Sequence, residues 1–132
     1  MPALDRPVTK TRPVYLNLLA IRLPLPALVS ILHRVSGALL FLIGIPALLW
    51  LTQRASASPE AWAQMRDAFA NPFVKLCALV IAWSYIHHLL AGVRHLLMDL
   101  HIGMDLGPAR QSSAAVMVLA VLLTLVVAVR LW

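Results

Sequence analysis

Apolar residues come in three long runs separated by two polar stretches. The first run occupies residues 26–51, and no charge interrupts it from residue 35 onward. The second covers 73–98 and the third 113–132, which is almost purely aliphatic. A helix needs roughly 20 apolar residues to cross a bilayer. The pattern therefore predicts an all-α membrane protein with three transmembrane helices. Residues 1–25 carry Pro2, Pro7 and Pro13 among basic residues and read as an arm at the membrane surface. Without an early apolar segment this arm does not read as a cleavable signal peptide. Residues 52–72 form a polar loop, in which Ser58-Pro59-Glu60 can start a short surface helix. Residues 99–112 form a second loop containing Gly103, Gly107 and Pro108. Pro24 and Pro26 mark the start of the first helix, since proline is tolerated in a first turn. Pro46 falls inside it and predicts a kink or a locally adapted turn.

Composition agrees and excludes other classes. Of 132 residues, 61% are hydrophobic and 12% are charged. A soluble domain of this size has too little interior to hide that much apolar surface. Disorder is excluded for the same reason. The 11 Lys and Arg outnumber the 5 Asp and Glu, but they lie mostly at the ends of apolar runs, where they act as topology signals. Nucleic acid is not the expected partner; membrane lipid is. With the N-terminus inside, Arg6, Lys10, Arg12, Arg22, Arg94 and Arg110 face the cytoplasm, and Arg54, Arg66, Lys75 and Arg130 face the other side. That bias favours a cytoplasmic N-terminus. The single cysteine, Cys77, cannot form an internal disulfide, and no CxxCH is present for covalent haem attachment.

Polar groups inside the runs are costly and so point to function. Ser30, His33 and Arg34 are spaced i, i+3, i+4 and share one face of the first helix. They offer a hydroxyl, an imidazole and a guanidinium suited to a carboxylate, a propionate or a developing oxyanion. From spacing alone, a lipid-facing Arg34 and a Ser30 bonded to its own helix are equally good readings. His88, Gly92 and His95 share a face of the second helix at i, i+4, i+7. A small residue one turn from an imidazole leaves a flat slot of the kind a planar macrocycle needs, and neutral imidazole is a common axial ligand of haem iron. His87 points about 100° away and has no glycine at i+4. Antiparallel connectivity brings Ser30, His33 and Arg34 to the depth of His88, Arg94 and His95. The product is a cationic pocket over a deeper imidazole, fitting a haem or a quinone headgroup.

Two strings carry a resemblance. Ser30-Ile31-Leu32-His33-Arg34-Val35-Ser36-Gly37 and His88-Leu89-Leu90-Ala91-Gly92-Val93-Arg94-His95-Leu96-Leu97-Met98-Asp99, with Arg12-Pro13-Val14-Tyr15-Leu16 before them, resemble the cytochrome b membrane-anchor family of succinate dehydrogenase, respiratory complex II. The resemblance implies a three-helix subunit of the bacterial inner membrane forming half of a heterodimeric, haem-binding bundle. It implies one haem b shared with a second membrane anchor, with His88 as this chain's axial ligand to the iron. It further implies a ubiquinone site at Ser30 and Arg34, and His33, Arg34 and His95 around the haem propionates. Asp99 matches a position near the quinone pocket. The partners implied are the second anchor, which gives the other haem ligand, an iron–sulfur subunit and a flavoprotein subunit. Succinate would be oxidised at the flavin, so this chain alone would lack that activity. The competing expectation is a purely structural anchor or assembly subunit without haem. A drug transporter lacks support because no carboxylate lies within the spans, and a di-haem anchor lacks two clean histidine pairs.

Overall fold

The computed structural model describes residues 20–132, and all its regular structure there is helical. The arm up to residue 19, with Arg6, Lys10, Arg12 and the Arg12-to-Leu16 string, lies outside the described residues. Helix α1 runs Leu25–Ala57, α2 Pro59–Ala68, α3 Pro72–Asp99 and α4 Leu106–Leu131. The helices α1, α3 and α4 are long and apolar enough to cross a membrane. The protein is thus an all-α, three-span membrane protein.

Proline punctuates every start. Extended Pro24 precedes Pro26 in the first turn of α1. Ser58 caps α2 ahead of Pro59, its hydroxyl accepting from the Ala61 N–H at 3.1 Å. Asn71 caps α3 ahead of Pro72, its side chain accepting from the Phe73 N–H at 2.8 Å. The proline ring lacks only an N–H that a first turn leaves unpaired anyway. Pro108 likewise lies in the first turn of α4. That helix therefore begins at Leu106, while the aliphatic run begins at residue 113. Within α1, Pro46 cannot donate to the preceding turn. The helix widens just before it into a π turn over Leu40–Gly44, where the Ile45 N–H reaches the Leu40 carbonyl. This is the adapted turn that the proline calls for.

The two other long helices flank α3, which touches both. The interior is small-residue and polar. Val29, Ala91 and Ala120 are buried, and so are Ser36, Ser84, His87, Arg94 and Ser113. Large apolar side chains such as Phe41, Leu48, Leu96 and Val129 point outward. A bilayer inverts the soluble rule in this way: lipid is as apolar as leucine, so small and hydroxyl residues draw helices together instead. The hydroxyls of Ser84, Ser113 and Thr124 each donate to the carbonyl four residues back, at 2.7 to 2.8 Å, which satisfies them without a partner helix. At one end, Lys75 near the start of α3 sits over the Trp132 ring at 4.9 Å, tying it to the end of α4.

Candidate functional site: an imidazole triad between the first and third helices

Helices α1 and α3 are antiparallel, so the opening turns of α1 lie beside the closing turns of α3. His33 of α1 meets both His88 and His95 of α3. Its ring stacks on His88 with centroids 4.1 Å apart and planes 8° apart. It meets His95 at 5.1 Å with a tilt of 55°. These are three of the residues the sequence pattern singled out.

The hydrogen bonding of His88 fixes its tautomer. Its Nδ1 lies 2.9 Å from the backbone carbonyl of His33 and 3.3 Å from the Ser36 hydroxyl oxygen. A carbonyl only accepts, so Nδ1 carries the hydrogen and donates it. The Ser36 hydroxyl donates to the same carbonyl at 2.9 Å. Nε2 is then the unprotonated nitrogen with a free lone pair. It has no hydrogen bond among the described residues, and it is not sealed off, since the only fully buried, unpartnered side-chain nitrogens described belong to His87. An imidazole whose Nδ1–H is held by a backbone carbonyl and whose Nε2 is open is the arrangement metal-ligating histidines use.

Gly37 makes the close approach possible. A Cβ there would stand 2.8 Å from His88 Cε1 and 3.3 Å from Nδ1. Gly92 has a different neighbour: a Cβ on it would meet His33 Nε2 at 3.5 Å, an ordinary contact. Gly92, where the spacing sets a slot for a planar macrocycle, is a separate place; the tight contact against the His88 ring is at Gly37. The signal for it lay in the first motif, where Gly37 follows His33 by four residues and so shares its face.

Ser30 is half-buried on this face of α1, and Arg34 is exposed one turn further on. The Arg34 Nε donates to the Ser30 carbonyl at 3.4 Å, a bond within its own helix. Its other guanidinium donors make no hydrogen bond among the described residues. Arg94 departs from the expected cluster. It points toward α4, where Nε donates to the Ser112 hydroxyl at 3.0 Å and Nη2 to the Ala109 carbonyl at 3.4 Å. His87 also faces inward, fully buried, stacked on Trp83 at 5.1 Å, with neither ring nitrogen hydrogen-bonded among the described residues. Asp99 closes α3 and is exposed.

No group of three or more His, Cys, Asp or Glu among the described residues is arranged to hold a bare metal ion. A haem needs only one axial nitrogen from a given chain, with cationic or imidazole groups near its propionates. The tautomer-locked His88, with His33 stacked on it, His95 against His33 and Arg34 next to His33 in the chain, fits that requirement. The fit rests on this chain's donors alone.

Residues 8–127 match the family described as succinate dehydrogenase/fumarate reductase transmembrane subunit. The succinate dehydrogenase cytochrome b556 subunit of Coxiella burnetii is 34% identical over 122 residues, covering 92% of this chain and 97% of that one. That of Paracoccus denitrificans is 36% identical over 120 residues, covering 88% and 91%. That of Rickettsia prowazekii is 26% identical over 125 residues, covering 95% and 97%. Two signatures side by side, a three-span fold and matches along nearly the full length lead to one conclusion: this chain belongs to the succinate dehydrogenase/fumarate reductase transmembrane subunit family.

Proposed function

We infer that this chain is the haem b-binding membrane anchor of a bacterial succinate dehydrogenase and helps build its quinone-reduction site. The observation that carries the reading is the bond from His88 Nδ1 to the His33 carbonyl at 2.9 Å, which leaves Nε2 as a free ligand nitrogen. His88 would hold the haem iron through Nε2. His33, Arg34 and His95 supply the polar surroundings of the propionates. Held there between this chain and the partner anchor, haem b would supply one-electron storage and transfer.

Ser30 and Arg34 serve the quinone. Ser30 presents a hydroxyl to donate to a quinone carbonyl oxygen, and Arg34 holds a fixed positive charge toward the oxygen on which negative charge develops. Such preorganised charge lowers the barrier because little reorganisation is needed when the charge appears. The three α-helices anchor an iron–sulfur subunit and a flavoprotein subunit, where succinate is oxidised. They pair with the second anchor, so this chain is half of a larger bundle. The excess of Lys and Arg near the N-terminal face supports a cytoplasmic N-terminus in the inner membrane.

The test is a reduced-minus-oxidised spectrum of the purified complex. His88→Ala should lose or shift the b-type band, and an unchanged spectrum would refute the ligand assignment. Arg34→Ala should cut quinone reduction while sparing succinate oxidation by an artificial dye. Equal loss of both activities would make Arg34 structural. A wild-type complex without any b-type absorbance would leave only the structural-anchor reading.

A further inference from the structure

The inward face of α3 ends in a cation that the haem and quinone site does not use. Arg94 is 5% exposed. Its Nε and Nη2 are engaged by Ser112 and Ala109, both neutral acceptors. Nη1 makes no bond among the described residues, and it is not sealed in. A guanidinium has five N–H donors in a fork that matches paired oxygens. A buried charge without a counter-charge is costly and is rarely retained without use.

Beside Arg94 runs a groove of about 400 Å³ between the closing turns of α3 and the opening turns of α4. Leu90, Val93 and Leu97 lie at i, i+3 and i+7 along one wall, and Val116 stands on the other. Gln111 and Ser112 are the polar residues beside the cation, and no carboxylate among the described residues lines the groove. Arg94 sits five residues before the end of α3, or roughly 7.5 Å along the axis at 1.5 Å per residue. That is within side-chain reach of the headgroup layer. The groove thus offers a positive, donor-rich head near the membrane face and an aliphatic track leading deeper. Basic pockets between transmembrane helices are the usual receptors of anionic lipid headgroups.

We propose that the Arg94 groove between α3 and α4 holds one anionic phospholipid. Its phosphate accepts hydrogen bonds from Arg94 Nη1 and the Gln111 amide, and an acyl chain lies along Leu90, Val93 and Val116. Charge complementarity decides for this occupant: among the described residues the groove has a cation, no acid and a long apolar wall. A neutral lipid would leave Nη1 unpaired. A carboxylate from a partner subunit would leave the aliphatic track unfilled.

The experiment uses the intact complex, exchanged into nanodiscs of phosphatidylcholine with a minor share of phosphatidylglycerol. Lipid retained through detergent release is counted by native mass spectrometry. Wild type should keep phosphatidylglycerol in preference to phosphatidylcholine. Arg94→Gln removes the charge. Ala115→Trp fills the groove from its exposed rim and leaves Arg94 in place. Both should lower phosphatidylglycerol retention about tenfold, the scale of one lost charge-assisted bond, with the haem band intact. If Arg94→Gln fails to assemble, Ala115→Trp carries the test. Equal retention of the two lipids by wild type would overturn the proposal. So would unchanged retention in Ala115→Trp. Loss of a partner subunit from Arg94→Gln at constant lipid content would assign the cation to a protein carboxylate and overturn it too.

Discussion

Replacing Gly37 by alanine should loosen the haem although Gly37 bears no functional group. The added Cβ would stand 2.8 Å from His88 Cε1 and 3.3 Å from Nδ1. Comfortable carbon–carbon contact begins at about 3.5 Å, so the imidazole must retreat by roughly 0.7 Å. It has little freedom to do so. One face stacks on His33 at 4.1 Å, and its Nδ1 is held to the His33 carbonyl at 2.9 Å. Overpacking a tight site costs about 1–3 kcal/mol. Escape by breaking the Nδ1 bond forfeits about 0.5–1.5 kcal/mol and also frees the tautomer that keeps Nε2 unprotonated. If this strain falls on the ligated state, haem affinity drops by about 5- to 150-fold, at tenfold per 1.4 kcal/mol. The assay is the rate of haem transfer from the purified complex to an excess of a haem-scavenging protein, followed in the b-type band. Gly92→Ala is the matched control. Its Cβ meets His33 at an ordinary 3.5 Å, and the effect should stay below about 0.5 kcal/mol. Equal haem-loss rates in Gly37→Ala and wild type would refute the reasoning, as would a larger effect at Gly92.

Ser36→Ala removes the hydroxyl beside His88 Nδ1 but leaves the carbonyl bond, so haem loss should quicken only a few-fold, the low end of outer-shell effects on metal affinity; the same transfer assay reads it. His101 follows the end of α3 with a φ of 62°, and the N–H of Ile102 bonds back to the Leu97 carbonyl at 3.0 Å, which is a helix stop that favours glycine. His101→Gly should therefore stabilise the complex by about 1 kcal/mol, seen as a higher thermal midpoint, and a lower midpoint would contradict the strain argument. In α2, backbone and Ser58 hydrogen bonds hold the Glu60 carboxyl below its usual 4.5. A depressed carboxyl pKa stabilises the folded helix above the ordinary value and gives that up as pH falls through the folded one. Amide protection of α2, compared at each pH with Glu60→Gln, should accordingly differ above about pH 4.5 and converge in acid; convergence at neutral pH would reject the linkage.

The three long helices were legible because each is a run of apolar residues long enough for a bilayer. Their ends were less so. Gly107 and Pro108 read as helix breakers, yet proline in a first turn is a start signal, and the polar residues Arg110 to Ser113 hid a helix that begins at Leu106. Within the site, spacing found His33, His88 and His95 because the i, i+3, i+4, i+7 rule needs no tertiary knowledge. It misplaced Arg94, though the arithmetic was available. At 100° per residue, the seven steps from His87 to Arg94 return to within about 20° of the same face, while the six from His88 turn well away. Ser84, His87, Ala91 and Arg94 are accordingly the inward face of α3. What no periodicity shows is which of two neighbouring helices a given face will meet.

Intramembrane polarity alone is therefore a blunt guide to function in this chain, and the destination of each hydrogen bond is a sharper one. Ser84, Ser113 and Thr124 spend their hydroxyls on carbonyls four residues back in their own helix. They let helices approach and need nothing from outside. His88 spends one nitrogen on the backbone of another helix and keeps the other free. Arg94 spends part of its fork on the next helix and keeps Nη1 unbonded among the described residues. A polar atom that the fold positions across a helix interface and then leaves unpaired has been ordered at a cost. What offsets that cost lies outside the described residues, and the proposed occupants differ: an iron at His88 and a phosphate at Arg94.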